Sequence, residues 1–129
     1  MQFSTKAEYG LKAMINLANA YPNQKNSKEI SEEESISNKY LERLLSVLKR
    51  EQLVQSSKGK TGGYTLIRKP NQIKVGEIVE ILDGPIAPMR CVGSFCAIEH
   101  KCPSSAVWNK VAQQIKQTLY KIKLSDLTR

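Results

Sequence analysis

Three cysteines, Cys91, Cys96 and Cys102, fall within a single run of twelve positions. An odd number of thiols crowded so closely makes a poor disulfide framework and a good set of metal ligands. Thiolates are soft donors suited to zinc, copper(I) and iron-sulfur clusters. Three of them on one loop can wrap a cluster but leave one coordination position to be filled from elsewhere. The only histidine, His100, lies between the second and third cysteines. With it the loop offers a Cys3His set that zinc accepts, although His100 and Cys102 stand closer than the common structural spacings. A thiol redox switch, or small buried cysteines without a ligand role, are the remaining uses of such residues.

A second constellation is electrostatic. Between Ser37 and Pro70 the basic residues are Lys39, Arg43, Lys49, Arg50, Lys58, Lys60, Arg68 and Lys69, set against only Glu42 and Glu51. The whole chain of 129 residues carries a formal charge of +8 and a pI near 9.5, so this segment holds most of the surplus. A phosphate-facing surface needs such concentration, because each neutralised phosphate releases counterions. A charge run alone usually marks a solvated helix face. Here the order of the elements around it argues for duplex DNA.

Those elements follow from periodicity. From Ser4 to Pro22, Ala7, Leu11, Met14, Leu17 and Ala18 recur at helical spacing. Ser27 is placed to cap a short helix, KEISEEE, in which Ile30 supplies the apolar contact. Ser35 and Ser37 then punctuate the chain before a longer helix in which Tyr40, Leu41, Leu44, Leu45 and Leu48 repeat at three and four. Two helices so closely spaced form a helix-turn-helix. Next, Leu53-Val54 and Tyr64-Thr65-Leu66-Ile67 flank a turn rich in glycine and lysine, the pattern of a two-stranded wing. A further short helix carries Val75, Ile78, Val79 and Leu82 and stops at Gly84-Pro85. The stretch from Ile86 to Ser104 lacks periodicity, contains every cysteine and reads as a loop. From Ser105 a stripe of Val107, Trp108, Val111, Ile115, Leu119 and Ile122 defines a helix too apolar on one side to lack a partner.

The fold class expected is mainly α with a small β-hairpin: a winged helix-turn-helix domain over 1–85, a cysteine loop over 86–104, and a dimerisation helix and tail over 105–129. In that frame Ser37, Asn38, Lys39, Tyr40, Glu42 and Arg43 open the recognition helix. Asn38, Lys39 and Glu42 are placed to meet base edges, where a carboxylate accepts from cytosine N4. Lys58 and Lys60 at the wing tip follow phosphate or reach the minor groove. No catalytic triad or paired carboxylates appear, and Gly59-Lys60-Thr61 lacks the upstream glycine of a phosphate loop, so the chain does not read as an enzyme. No apolar run approaches the roughly 18 to 20 residues of a membrane span. The start, MQFSTKAEYG, lacks a basic and apolar leader. A cytoplasmic protein without membrane contact is expected.

The run Tyr40-Leu41-Glu42, then Leu53-Val54-x-Ser56-x-Lys58-Gly59-x-x-Gly62-Gly63-Tyr64-x-Leu66, then Val75-Gly76-x-Ile78-Val79 and Asp83-Gly84-Pro85, resembles the Rrf2 family of bacterial winged-helix regulators over nearly the whole chain. The resemblance implies a homodimer held by the C-terminal helix on a two-fold related double-stranded DNA operator. It also implies that Glu42 and Lys58 are DNA-reading positions; Lys58 stands where many members carry Arg. In the cluster-binding branch three cysteines occupy this same place, which implies an iron-sulfur cluster, [2Fe–2S] before [4Fe–4S], on Cys91, Cys96 and Cys102. A histidine that some members carry three positions after the last cysteine is Ser105 here. The fourth-ligand candidates are therefore His100, an exogenous molecule, and Glu8, which matches an acidic position that some members present from the other subunit. The function implied is a repressor that senses iron-sulfur status, redox state or nitric oxide. The rivals are a metal-free repressor controlled by a protein partner or by thiol oxidation, and a basic dimeric adaptor for protein or RNA.

Overall fold

The computed structural model describes residues 2–59, 62–88 and 103–129. Helix α1, Thr5–Ala20, starts where the Ser4 side chain accepts a hydrogen bond from the Ala7 amide at 3.3 Å, satisfying one of the donors that every helix start leaves open. Helix α2, Ser27–Glu34, is capped one residue earlier than expected. Asn26 accepts from the Glu29 amide at 2.8 Å, and the Glu29 carboxylate accepts from the Asn26 amide at 3.4 Å. This reciprocal box forms because a carboxylate stands three positions after the amide cap, and it leaves Ser27 as the first helical residue. Helix α3, Asn38–Arg50, is capped by Ser37, and Ser35 turns the chain between α2 and α3 in the left-handed region, φ 56°.

The wing is an antiparallel pair, β1 Val54–Ser57 and β2 Gly63–Leu66, with Val54 opposite Leu66 and Ser57 opposite Gly63. Val54 and Leu66 are buried at its base, so the hairpin is anchored by one apolar rung and projects outward. Ile67, expected within the second strand, lies just beyond it and is exposed. A 3-10 turn at Pro70–Gln72 leads into helix α4, Val75–Asp83, whose Val75, Ile78, Val79 and Leu82 are all buried as their spacing requires.

The core gathers Met14 and Leu17 from α1, Ile30 from α2, and Leu41, Leu45 and Leu48 from α3, all fully buried. Burial of this kind is the main force holding three short helices together, at about 1.5–3 kcal/mol for each large side chain. Helix α5, Ser104–Lys121, begins one residue before the expected boundary. Its C-terminal half docks on the rest of the fold. Leu119 and Ile122 pack on Ala7, Val75 and Val79, and Gly76 lies so close beneath the Tyr120 ring that a Cβ has no room there. The tail then runs beside α4: the Val75 amide donates to Ile122 O at 2.9 Å, and the Leu124 amide donates to Ile73 O at 2.8 Å. Leu124 itself is fully buried in a closing 3-10 turn, Leu124–Leu127. Sequence periodicity did not reveal this docking, because it depends on one leucine and two backbone pairings.

The N-terminal half of α5 is different. Val107 is 52% and Val111 37% exposed, one turn apart on one face. The loop expected between Ile86 and Ser104 falls largely outside the described residues, and Cys91, Cys96, His100, Cys102 and the wing-tip Lys60 lie outside them too. Among the described residues no helix is long and apolar enough to cross a membrane.

Candidate nucleic-acid interface and its control elements

The opening of α3 is built by its cap. The Ser37 side-chain oxygen accepts from the Tyr40 amide at 3.2 Å, which uses a lone pair and keeps the hydroxyl proton available to a phosphate. Asn38, Lys39, Glu42 and Arg43 are exposed along the first turns. The Glu42 carboxylate is approached by Ser27 Oγ at 3.3 Å and Asn38 Nδ2 at 3.4 Å, both near the outer limit of a hydrogen bond. Two neutral donors thus orient it across the angle between α2 and α3, and among the described residues no cation pairs with it. An exposed carboxylate on a basic surface repels phosphate and gains only where a base edge donates to it.

Tyr40, expected in the DNA-reading set, is only partly exposed. Its ring meets Tyr9 of α1 edge to face, with centroids 5.9 Å apart at 85°, and Lys12 Nζ lies 5.4 Å from the Tyr9 centroid. The pair fastens the recognition helix to α1. Lys58 is exposed at the wing. Arg68 is turned back to the scaffold, donating to Glu77 at 2.8 Å and to the Gln72 carbonyl at 3.0 Å.

Sequence reasoning missed what holds the wing. Lys25 and Tyr64 exchange backbone hydrogen bonds of 3.0 and 2.7 Å, and Gly63 passes so near the Lys25 carbonyl that a Cβ would collide with it. The Ser57 hydroxyl donates to Gln24 Oε1. The α1–α2 connection is therefore a third, short strand-like edge of the wing. Its only sequence signal is the glycine pair at 62–63, whose second member is demanded by this close approach.

Two further contacts lie at the start of α1. Asp83, the last residue of α4, accepts from the Ser4 amide at 3.0 Å and from the Ser4 hydroxyl, immediately before Gly84-Pro85 opens the cysteine segment. Glu8, one turn into α1, is exposed and 3.8 Å from Lys12. Among the described residues no three His, Cys, Asp or Glu groups gather as a metal site. By donor chemistry, the three thiolates of the segment plus an exposed Glu8 carboxylate fit an iron-sulfur cluster with one weak, exchangeable ligand.

On α5, the Tyr120 hydroxyl donates to Glu80 at 2.8 Å, and Lys116 lies 3.7 Å from the same carboxylate. Burial, then the hydrogen bond to the Glu80 carboxylate and its negative charge, push the phenol up to about 12. Glu33 on α2 is shifted the other way: hydrogen bonds from Lys25 and Asn16 hold its carboxyl below the usual carboxylate range.

Comparison with known proteins places these features in a wider set. The profile of the Rrf2 family, described as an iron-dependent transcriptional regulator, matches residues 3–129. The chain is 36% identical over 129 residues to the HTH-type transcriptional regulator CymR of Bacillus subtilis, covering 98% of this chain and 89% of that protein. It is 34% identical over 129 residues to the HTH-type transcriptional regulator IscR of Cronobacter sakazakii, covering 98% and 80%. Among solved structures, CymR, described as the global cysteine regulator of B. subtilis, superposes with a TM-score of 0.83 at 34% identity, covering 98% of this chain and 95% of that one.

Proposed function

The chain belongs to the Rrf2 family of transcriptional regulators, and from that premise we propose that it is a cytoplasmic, homodimeric repressor whose cysteine segment carries an iron-sulfur cluster that sets its grip on a two-fold operator. Its relatives are regulators of transcription rather than enzymes, and the winged helix-turn-helix matches theirs. The observation that carries the reading is the exposed Glu42, held by Ser27 and Asn38 and, among the described residues, without a cation partner, beside Lys39 and Arg43 at the opening of α3, with Lys58 on the adjoining wing. Phosphate contacts from the lysines and arginine position the helix, and Glu42 discriminates among bases. Ser37 donates to phosphate from the cap, Lys60, which lies outside the described residues, adds a further phosphate contact, and Tyr40 braces the helix from behind.

Dimerisation is supported by Val107 and Val111, which form an apolar patch on α5 that a second copy of the same helix covers. Two recognition helices then meet half-sites about 34–36 Å apart. Cys91, Cys96 and Cys102 hold the cluster, with Glu8 of one subunit facing the segment of the other and His100 as the alternative fourth ligand. When bound, the cluster supplies a redox-active and displaceable inorganic group. The chain's own part is transmission: a shift at the root of the segment moves Asp83, Asp83 holds the cap of α1, and Tyr9 on α1 bears on Tyr40 of α3.

A second reading has an observation of its own. The identity with CymR, the global cysteine regulator, supports a metal-free repressor governed by thiol oxidation or a partner protein. Anaerobic purification with visible absorption, iron and sulfide analysis, and operator titrations at several salt concentrations separates the two. A brown protein whose operator affinity changes on cluster loss is the expected result. A colourless, iron-free protein with unchanged affinity removes the cluster and leaves the second reading.

A further inference from the structure

On the face of α1 away from α5, a cleft of about 320 Å³ opens between α1, the α1–α2 connection, α2 and the C-terminal tail. That volume lies at the low end for small-molecule sites. Its lining is almost wholly polar and carries both signs of charge: Asn16 and Asn19 from α1, Lys25, Glu33 and Arg129. Asn16 is only 6% exposed in the middle of the helix, where an apolar residue costs nothing and a polar one needs partners. Its Nδ2 donates to Glu33 at 2.9 Å and to Glu34 at 2.8 Å. Its Oδ1 is buried and, among the described residues, accepts no hydrogen bond. A buried acceptor left without a donor costs about 1–3 kcal/mol and calls for a reason.

We propose that this cleft binds a small zwitterionic amino acid. One amide nitrogen already sits where a cation belongs, within hydrogen-bond distance of two carboxylates. A primary ammonium in front of it has three protons to give, and three acceptors converge there once the Asn16 amide turns over: Glu33, Glu34 and the present orphan, Oδ1. The turn exchanges groups of nearly equal size and places the amide NH2 where Oδ1 now lies. The guanidinium of Arg129, close enough to Glu33 to lower its pKa, takes the ligand carboxylate at the mouth as a bidentate pair. Lys25 already holds its ammonium on Glu33. A plain anion meets Glu33, and a plain cation meets Lys25 and Arg129. Only a ligand with both charges satisfies the whole lining.

The site also has a route to DNA. Lys25 contributes its side chain to the cleft and its backbone to the wing through Tyr64. Drawing Glu33 toward a ligand loosens the Lys25 ion pair and frees the wing edge to shift against α2. That consequence rests on the DNA-binding reading, whereas occupancy of the cleft does not.

Isothermal calorimetry on the full-length protein, with each proteinogenic L-amino acid added singly, tests the site without DNA. For any that binds, the matching amine and the matching carboxylic acid serve as probes bearing one charge. The expected result is saturable binding of at least one amino acid, with both single-charge analogues weaker by about tenfold or more. Glu33→Gln and Arg129→Gln, whose circular dichroism should match the parent, each weaken binding about as much. Asn16→Leu abolishes it, and the two surface variants carry the test if that one fails to fold. Absence of heat with every amino acid, equal binding of the carboxylic acid alone, or binding indifferent to both surface variants overturns the proposal. Operator titration with the bound amino acid then reads the regulatory arm separately: an unchanged DNA affinity overturns coupling to the wing.

Discussion

Asp83 accepts two hydrogen bonds from Ser4, one from its backbone amide at 3.0 Å and one from its hydroxyl. The end of α4 therefore grips the residue that caps α1. The two residues are 79 positions apart in the chain, and the cysteine segment begins just after one of them. On the proposed mechanism a displacement of that segment reaches the cap through Asp83, and loss of such a cap typically costs about 1 kcal/mol.

Asp83→Ala should therefore lower the melting temperature modestly and do something more specific to regulation. If the segment carries a cluster as proposed, the affinities of the cluster-loaded and cluster-free forms for operator should converge, because Asp83 no longer links the segment to α1. Fluorescence anisotropy on both forms measures the ratio. A variant that melts early yet keeps the parental ratio would show that Asp83 is only a structural clasp.

The two ends of the reading surface should respond differently to substitution. If Lys58 contacts phosphate as proposed, Lys58→Gln should lower the slope of log affinity against log salt by about 0.9 with little change in base preference. Glu42→Ala removes a repulsive charge and a base contact together. Non-specific affinity should rise, while discrimination at one operator position should drop by about 1–3 kcal/mol. Equal losses on specific and random duplex for Glu42→Ala would place that residue outside base recognition.

How much of this was legible beforehand differs by element. The leucines at 41, 44, 45 and 48 and the apolar positions of α4 announced their helices, because burial on one face imposes a period and each of these side chains is buried. The wing was legible from its glycines, and the exposure of Glu42 from its place off the leucine stripe of α3. Asn26 was passed over for Ser27 as the cap of α2, although Glu29 three positions on favoured the asparagine. The return of Leu124 onto Ile73 and the orphaned acceptor of Asn16 have no signature, and the edge formed by Lys25 has only the glycine pair at 62–63. Each depends on backbone pairing or a single buried atom, and neither leaves a periodic trace in side-chain type.

Subunit association should hinge on the outer half of α5. Val107→Asp with Val111→Asp places two carboxylates on the patch proposed to meet a second copy. Burying unpaired charge is costly, so sedimentation equilibrium should show a shift from dimer to monomer, with the helical circular dichroism signal little changed. Val107 and Val111 are substantially exposed in the single chain, so loss of folding is not the expected effect. A stable dimer in the double variant would move the interface elsewhere.

Tyr120 offers a probe of how firmly α5 is seated on α4. Its phenol, ordinarily near 10, is raised to about 12 by burial and by Glu80. A group whose folded pKa is raised holds its proton more tightly in the fold than in the unfolded chain. The stability tied to it is intact below pH 10 and is lost as the pH climbs from there through about 12. Ultraviolet titration should show one phenol ionising late, and denaturant melts should weaken across that same window. Tyr120→Phe keeps the ring over Gly76 but removes the hydroxyl, so it should abolish the late step and reduce the alkaline loss of stability. If the late step persists in Tyr120→Phe, the slow-titrating phenol belongs to another residue, and the hydrogen bond to Glu80 is not what seats the helix.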